Sequence, residues 1–277
     1  MPRRKYGNTE KKISKWIKQG RGQGHGNEYM PWITVRDLSS RGRSHRVFGN
    51  LCQRTHHFFS DLELAVFLIL EWNPDTTDIR EQFPLRRDET IVIADKAGIT
   101  HSGYRGIKQV MSSDFLVNTT QSVKPKFALQ AKYAKDLQDP RTVEKLEIER
   151  RYWESKKIPW QIITEKNIPQ VVFQNIESLY PIEREELDHD ELIDKCDFYW
   201  YHLKANPHQT ILKITQNLDK AYDLDIGQSL FDIKVLLAHR YLQFDIFIPV
   251  KNLQASELKL SNIAENSEVL NVSSYSI

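Results

Sequence analysis

The chain has 277 residues, with 39 Lys or Arg against 37 Asp or Glu, long enough for two ordinary domains. Its two cysteines, Cys52 and Cys196, lack CxxC spacing and exclude a disulfide framework, while no stretch approaches the ~18 apolar residues of a membrane span. Residues 1 to 60 hold thirteen Lys/Arg against three Asp/Glu, a local balance of +10 that leaves −8 on the remainder; such a basic leading segment points to a polyanion, most simply nucleic acid, or else to a solvated and partly disordered tail. The start "MPRRKYGNTEKK" has no apolar run, so no signal peptide is expected, and the bacterial cytosol is the simplest home.

In chain order, "TEKKISKWIKQ" (9 to 19) predicts a basic amphipathic helix that ends at "GRGQGHG" (Gly20 to Gly26). That cluster is neither a Walker loop nor a dinucleotide fingerprint. A turn is favoured, with phosphate contact through Arg21 and backbone amides as the alternative. "SRGRSHR" (Ser40 to Arg46) adds a basic loop. His45, Cys52, His56 and His57 are residue types that bind zinc, but one cysteine without paired spacing argues against a zinc site.

"SDLELAVFLILEW" (Ser60 to Trp72) predicts a helix. Ser60 and Glu63 spell a capping box. Beyond its first turn the helix is apolar on nearly every side, so it is expected to be buried. A carboxylate at a buried helix start is costly unless paired or metal-bound, which gives Glu63 two compatible roles. Strands are expected at Thr77 to Leu85, Lys108 to Asn118 and Lys126 to Tyr133. Arg141 to Lys156 follows as a helix with Leu146, Glu149 and Trp153 on one face, where Glu149 reads as a salt-bridge partner rather than a ligand. "IPWQIIT" (Ile158 to Thr164) closes a mixed-sheet α/β unit.

After Thr164 the character changes: a helix in "KNIPQVVFQNIESLY", an acidic stretch "PIEREELDHDELID", then helix, helix and strand from Gln209 to Val250, compatible with a winged helix. The terminal "SELKLSNIAENSEVLNVSSYSI" is polar and expected to be mobile. The reading is therefore two domains, residues 1–168 and 169–277.

Strand alternation puts Gln130 and Lys132 on one side of the third strand and Phe127, Leu129, Ala131 and Tyr133 on the other. By the same rule Asp114 shares a side with Leu116. A carboxylate, an amide and an ammonium converging at a sheet rim can hold Mg²⁺, which takes oxygen ligands from one or two carboxylates and fills its octahedron with water and phosphate. Lys132 could instead be a rim lysine snorkelling past Tyr133.

Glu63 on a buried helix, Asp114 on one strand and Gln130-Ala131-Lys132 on the next resemble the layout of restriction-endonuclease-like nucleases, whose strand motif is usually Asp…(Asp/Glu)-x-Lys. The phrases "GRGQGHGNEYMPWITV", "GRSHRVF", "SDLELAVFLILEW", "DIREQFPL", "QVMSSDFLV", "LEIERRYW" and "KAYDLDIGQSL" resemble the TnsA family, the endonuclease subunits of heteromeric cut-and-paste DNA transposases. The resemblance implies a restriction-endonuclease-like domain followed by a winged-helix-like domain. It also implies cleavage at the 5′ ends of a transposon, with the integrase-type subunit TnsB acting on the 3′ ends and the ATPase TnsC regulating both. Carried over by position, the catalytic residues are Glu63, Asp114, Gln130 and Lys132, and the metal ligands are Glu63, Asp114, Gln130 and the Ala131 carbonyl, holding Mg²⁺ or Mn²⁺. Two other readings stand beside this one: a standalone restriction-type nuclease or junction resolvase, and a non-catalytic DNA-binding adaptor.

Overall fold

The computed structural model describes residues 7–37, 43–182 and 188–261, and the chain divides into two compact units, Met1–Ile168 and Pro169–Ile277. In the first, α1 (Glu10–Lys18) is capped by Thr9, whose hydroxyl accepts from the Lys12 N–H, and buries Ile13 and Trp16. These pack with Trp32, its indole edge-on to that of Trp16 with centroids 5.2 Å apart. The glycine cluster is a turn in which Gly20, Gly22, Gly24 and Gly26 all take positive φ, the region where a side chain is strained. Arg21 is engaged internally: its guanidinium donates to Asp37 at 2.6 and 3.2 Å and lies over the Trp16 ring.

Part of the basic loop, residues 38–42, lies outside the described residues. Then β1 (His45–Gly49) and β2 (Arg54–Phe58) form an antiparallel hairpin, which "HRVFGNLCQRTHHF" does not announce because it lacks clean alternation. Three of the residues weighed for zinc have other partners. His45 bonds Asp61, the Cys52 thiol lies 3.7 Å from the Ile79 carbonyl, and His56 bonds Glu81.

Next come α2 (Asp61–Trp72) and β3 (Thr76–Pro84). A helix absent from the sequence reading follows, α3 (Arg87–Lys96), and then a two-residue hairpin of β4 (Gly103–Tyr104) and β5 (Ile107–Lys108). This hairpin detaches Lys108 from the expected second strand, which begins at Ser112 as β6 (Ser112–Thr119). The unit closes with β7 (Lys126–Ala131), α4 (Pro140–Ser155) and β8 (Trp160–Ile163). The sheet order is β3-β6-β7-β8. The first two pairings are antiparallel and β7/β8 is parallel, so the sheet is mixed, with α4 as the crossover a parallel pair requires.

Two cores flank this sheet. Leu116 and Ala128 cluster with Leu85, Tyr152 and Trp153 beneath α4. Phe115, on the opposite side, meets Phe58 of β2, which in turn meets Phe67 of α2.

The second unit holds α5 (Gln170–Leu179), α6 (His189–Ala205), α7 (Ile211–Ala221), α8 (Gln228–Ala238), β9 (Leu242–Gln243) and β10 (Lys259–Leu260). Helix α6 starts inside the acidic stretch. Two expectations are corrected here. The strand expected to run to Val250 is two residues long, and its antiparallel partner β10 comes from the segment read as a polar tail. The backbone N–H groups of Gly227 and Ser229 donate to the Asp219 carboxylate at 2.8 and 2.9 Å, closing the turn into α8 at Gly227, whose φ is 91°. No helix among the described residues is long and apolar enough to cross a membrane.

Candidate active site

At the start of α2 the N-cap half of the box forms as expected, while the Glu63 carboxylate reaches one residue further back than a capping box would place it. The Ser60 hydroxyl accepts from the Glu63 N–H at 3.1 Å, and the Glu63 carboxylate accepts from the Phe59 N–H at 3.0 Å. Glu63 is nevertheless buried, 7 % exposed. Burial first, and then the nearby Asp114, push its carboxyl up to about 8.

Asp114 and Gln130 lie opposite one another on β6 and β7 and clamp together. The Asp114 N–H donates to Gln130 Oε1 at 3.1 Å, and Gln130 Nε2 donates to Asp114 Oδ2 at 2.7 Å. The same Oδ2 accepts from the Ala131 N–H at 2.9 Å and from Lys132 Nζ at 3.4 Å. Lys132 Nζ also donates to the Ala131 carbonyl at 2.9 Å. Although burial alone would lower the Lys132 pKa, Asp114, Glu149 and Glu63 outweigh it and raise it, so the side chain is a fixed cation.

The two carboxylates are joined by a residue that sequence reasoning missed. Gln82 Nε2 lies 3.4 Å from Glu63 Oε2 and 3.4 Å from Asp114 Oδ1, and its Oε1 accepts from the Ser112 hydroxyl at 3.2 Å. Its φ is 48°, a left-handed value uncommon outside glycine. Around it, strand alternation fails. Glu81 bonds Arg54 and His56 of the hairpin, yet Phe83, two residues on, packs against the α4 cluster. On the paired strand, Phe115 meets Phe58 while Ser113 donates to Glu149 of α4 at 2.6 Å. Residues two apart therefore contact opposite layers at this point, so the rule placing Asp114 on Leu116's side does not hold here. That switch lets Asp114 face Glu63 of α2.

Glu149 is not a salt-bridge partner among the described residues. It is buried and accepts from Ser113 and from Trp160 Nε1, the latter at 2.8 Å, and burial pushes it up to about 8. Glu63 and Glu149 therefore hold protons in the folded chain that the unfolded chain, near the ordinary 4.5, has already released. Their contribution to stability is full below pH 4.5 and is lost as pH rises through about 8. Glu149→Gln is expected to flatten the fall in stability over this window, as measured by denaturant midpoints at pH 5 and pH 8.5. An unchanged slope would count against a protonated Glu149.

Among the described residues no three His, Cys, Asp or Glu side chains are grouped so as to hold a metal ion. The oxygen donors gathered here are two carboxylates, one amide and one backbone carbonyl. Glu63, Asp114, Gln130, Ala131 and Lys132 thus come together, and Gln82 joins them.

Residues 73–165 match the family model described as TnsA-like endonuclease N terminal, and residues 167–246 match that described as TnsA endonuclease C terminal. Asp114, Gln130, Ala131 and Lys132 fall within the first match; Glu63 precedes it. The transposon Tn7 transposition protein TnsA of Escherichia coli is 44 % identical over 261 residues, covering 94 % of this chain and 95 % of that protein. With both halves matched and nearly the whole length aligned, the chain belongs to the TnsA endonuclease family.

Proposed function

We propose that the chain is the endonuclease subunit of a transposase that cleaves DNA at the 5′ ends of a transposon, with Glu63, Asp114, Gln130 and Lys132 as its catalytic residues. The observation that carries this is the convergence of two buried carboxylates and a cationic lysine on one end of a mixed sheet, in a chain of this family. The restriction-endonuclease-like reading of the first unit is supported by three antiparallel strands with a parallel fourth behind a crossover helix. The winged-helix-like reading of the second is supported by its helices followed by an antiparallel pair.

The donor set fits a divalent cation, for which we favour Mg²⁺, with Mn²⁺ as substitute. Asp114 Oδ2 already accepts three donors, but Asp114 Oδ1 and Glu63 Oε2 both turn toward the single amide of Gln82. Glu63 and Asp114 would hold the ion, with the Ala131 carbonyl and Gln130 as neutral oxygen donors. When bound, such an ion polarises the scissile phosphate and acidifies a water. Lys132, held cationic by Asp114, cannot take a proton; it orients the phosphate and offsets charge as it builds on phosphorus. Attack by water on phosphorus breaks the bond to the 3′ oxygen, leaving a 3′-hydroxyl and a 5′-phosphate.

The partners under this reading are transposon-end DNA, a TnsB-type integrase subunit and a TnsC-type ATPase. The test is to assemble the chain with its transposase partner on end DNA and map the cuts. Nicks confined to the 5′ ends are expected with Mg²⁺ or Mn²⁺, and binding without cutting with Ca²⁺. Efficient cutting of naked DNA by the chain alone would favour a standalone nuclease instead.

A further inference from the structure

Gln82 is a buried amide in a left-handed backbone conformation, placed between the two carboxylates that the reading above assigns to the cation. Holding a non-glycine residue there costs about 1 kcal/mol or more, so the surrounding structure must enforce it. Three contacts do so. The Gln82 carbonyl accepts from the Trp32 N–H at 3.2 Å, its Oε1 takes the Ser112 hydroxyl, and the neighbouring Glu81 is locked by Arg54. The amide nitrogen faces Glu63 Oε2 and Asp114 Oδ1, while its oxygen takes the Ser112 hydroxyl, so the side the amide turns to Asp114 is its donor side.

Glu63 sits at the start of α2 and Asp114 near the start of β6, and among the described residues no direct hydrogen bond joins the two carboxyls. Gln82 is the one described side chain that touches both carboxylates with a donor while being anchored itself through Ser112. Both contacts, at 3.4 Å, are long for a hydrogen bond. They guide the two oxygens without saturating them, leaving each with lone pairs for a cation.

We propose that Gln82 is a positioning residue of the cleavage site: its side-chain amide holds Glu63 and Asp114 at the separation a shared divalent cation needs. The proposal rests on the assignment of these carboxylates as the cation's ligands. It separates into two parts that substitution can distinguish. The left-handed backbone is kept, and even eased, by glycine, whereas the amide is lost with either glycine or alanine.

The experiment titrates Mn²⁺ into the full chain and reads free Mn²⁺ by electron paramagnetic resonance, alongside circular dichroism. Both Gln82→Ala and Gln82→Gly are expected to bind Mn²⁺ about 10-fold or more weakly, as loss of an outer partner of a metal ligand typically does. Should Gln82→Ala fail to fold, Gln82→Gly carries the test, because its backbone suits the position. Retention of wild-type affinity by Gln82→Gly would mean that the backbone alone acts, and would overturn the proposal. Tighter binding in both variants would show that the amide competes with the cation, and would equally overturn it. Asp114→Ala serves as the control. If it binds Mn²⁺ as the wild type does, the cation lies elsewhere and the site assignment falls together with this inference. If Asp114→Ala loses binding while both Gln82 variants keep it, the site stands and only the role of Gln82 fails.

Discussion

Asp114→Ala is expected to abolish 5′ cleavage, by about 10³-fold or more, because under the assignment proposed above it removes a cation ligand and the anion that holds Lys132 cationic. The fold is expected to survive. The Gln130 amide and the Ala131 N–H lose their acceptor, a cost of about 1–3 kcal/mol for each buried donor left unpaired. Against this, Glu63 loses the neighbouring charge that raises its pKa, and the desolvation of a buried carboxylate disappears. Lys132, whose side chain is 30 % exposed, can turn to water. With the partner's 3′ chemistry intact, such a complex would join 3′ ends to a target while the 5′ ends stay attached to the donor. Replication through that branched intermediate shifts the products from simple insertions to cointegrates. Sequencing insertion products made with the mutant, together with its melting curve, decides the matter. Simple insertions at normal frequency would show that Asp114 is not a ligand, and loss of all joining from a folded mutant would mean the two cleavages are not divided between subunits.

The largest effect on stability is expected one residue from Gln82. Glu81 is fully buried and accepts from Arg54 Nη1 at 2.9 Å and Nη2 at 2.5 Å, from His56 Nδ1 at 2.9 Å and from the His57 N–H at 3.2 Å. Arg54 in turn donates to the carbonyls of Gly26 and Ile79 at 3.0 and 2.8 Å. One guanidinium thereby ties the glycine turn, the β1/β2 hairpin and β3 together. Burial alone would raise the Glu81 pKa, but His56 and Arg54 hold it well below the ordinary range. Its contribution is therefore full above that range and is lost progressively as pH falls from there toward the depressed folded value.

Glu81→Ala would leave the Arg54 cation buried without its counterion, at a cost of about 3–5 kcal/mol. That is a large share of the ~5–15 kcal/mol that holds a domain together. Thermal melts should show a fall of about 10 °C. The double variant Glu81→Leu with Arg54→Met, which removes both charges, is expected to recover much of it. A melting temperature for Glu81→Ala within about 2 °C of wild type would rule out the network as a main support of the fold.

Much of the site was legible in the sequence because its parts carry local signals. The Ser60/Glu63 capping signal depends on contacts within one helical turn, and its Ser60 half formed as spelled, with the Glu63 carboxylate shifted to the Phe59 N–H. The strand at Phe127 to Ala131 and the helix from Arg141 were visible because their apolar periods follow directly from backbone geometry. The second half was less legible. Two-residue strands such as Leu242–Gln243 and Lys259–Leu260 are too short to show a period, and each exists only because the other lies beside it. The β1/β2 hairpin was hidden for a related reason: its inward-facing positions hold Arg54 and His56, which are polar by composition and buried only because Glu81 meets them.

From the residues alone came the acid at a helix start, the aspartate and the Gln-x-Lys pair on successive strands, the basic leading segment and the resemblance to a nuclease family. Tertiary structure alone decided which groups touch. Arg21 pairs with Asp37, Glu149 is a buried carboxyl without an ion pair among the described residues, and Asp114 left the face its position in the strand predicts. The physical reason is the same in each case. Periodicity reports which way a regular backbone points its side chains, but a single left-handed residue such as Gln82 reverses that rule locally, and whether a charge is paired, buried or neutral depends on neighbours that are distant in sequence and adjacent only once the sheet has formed.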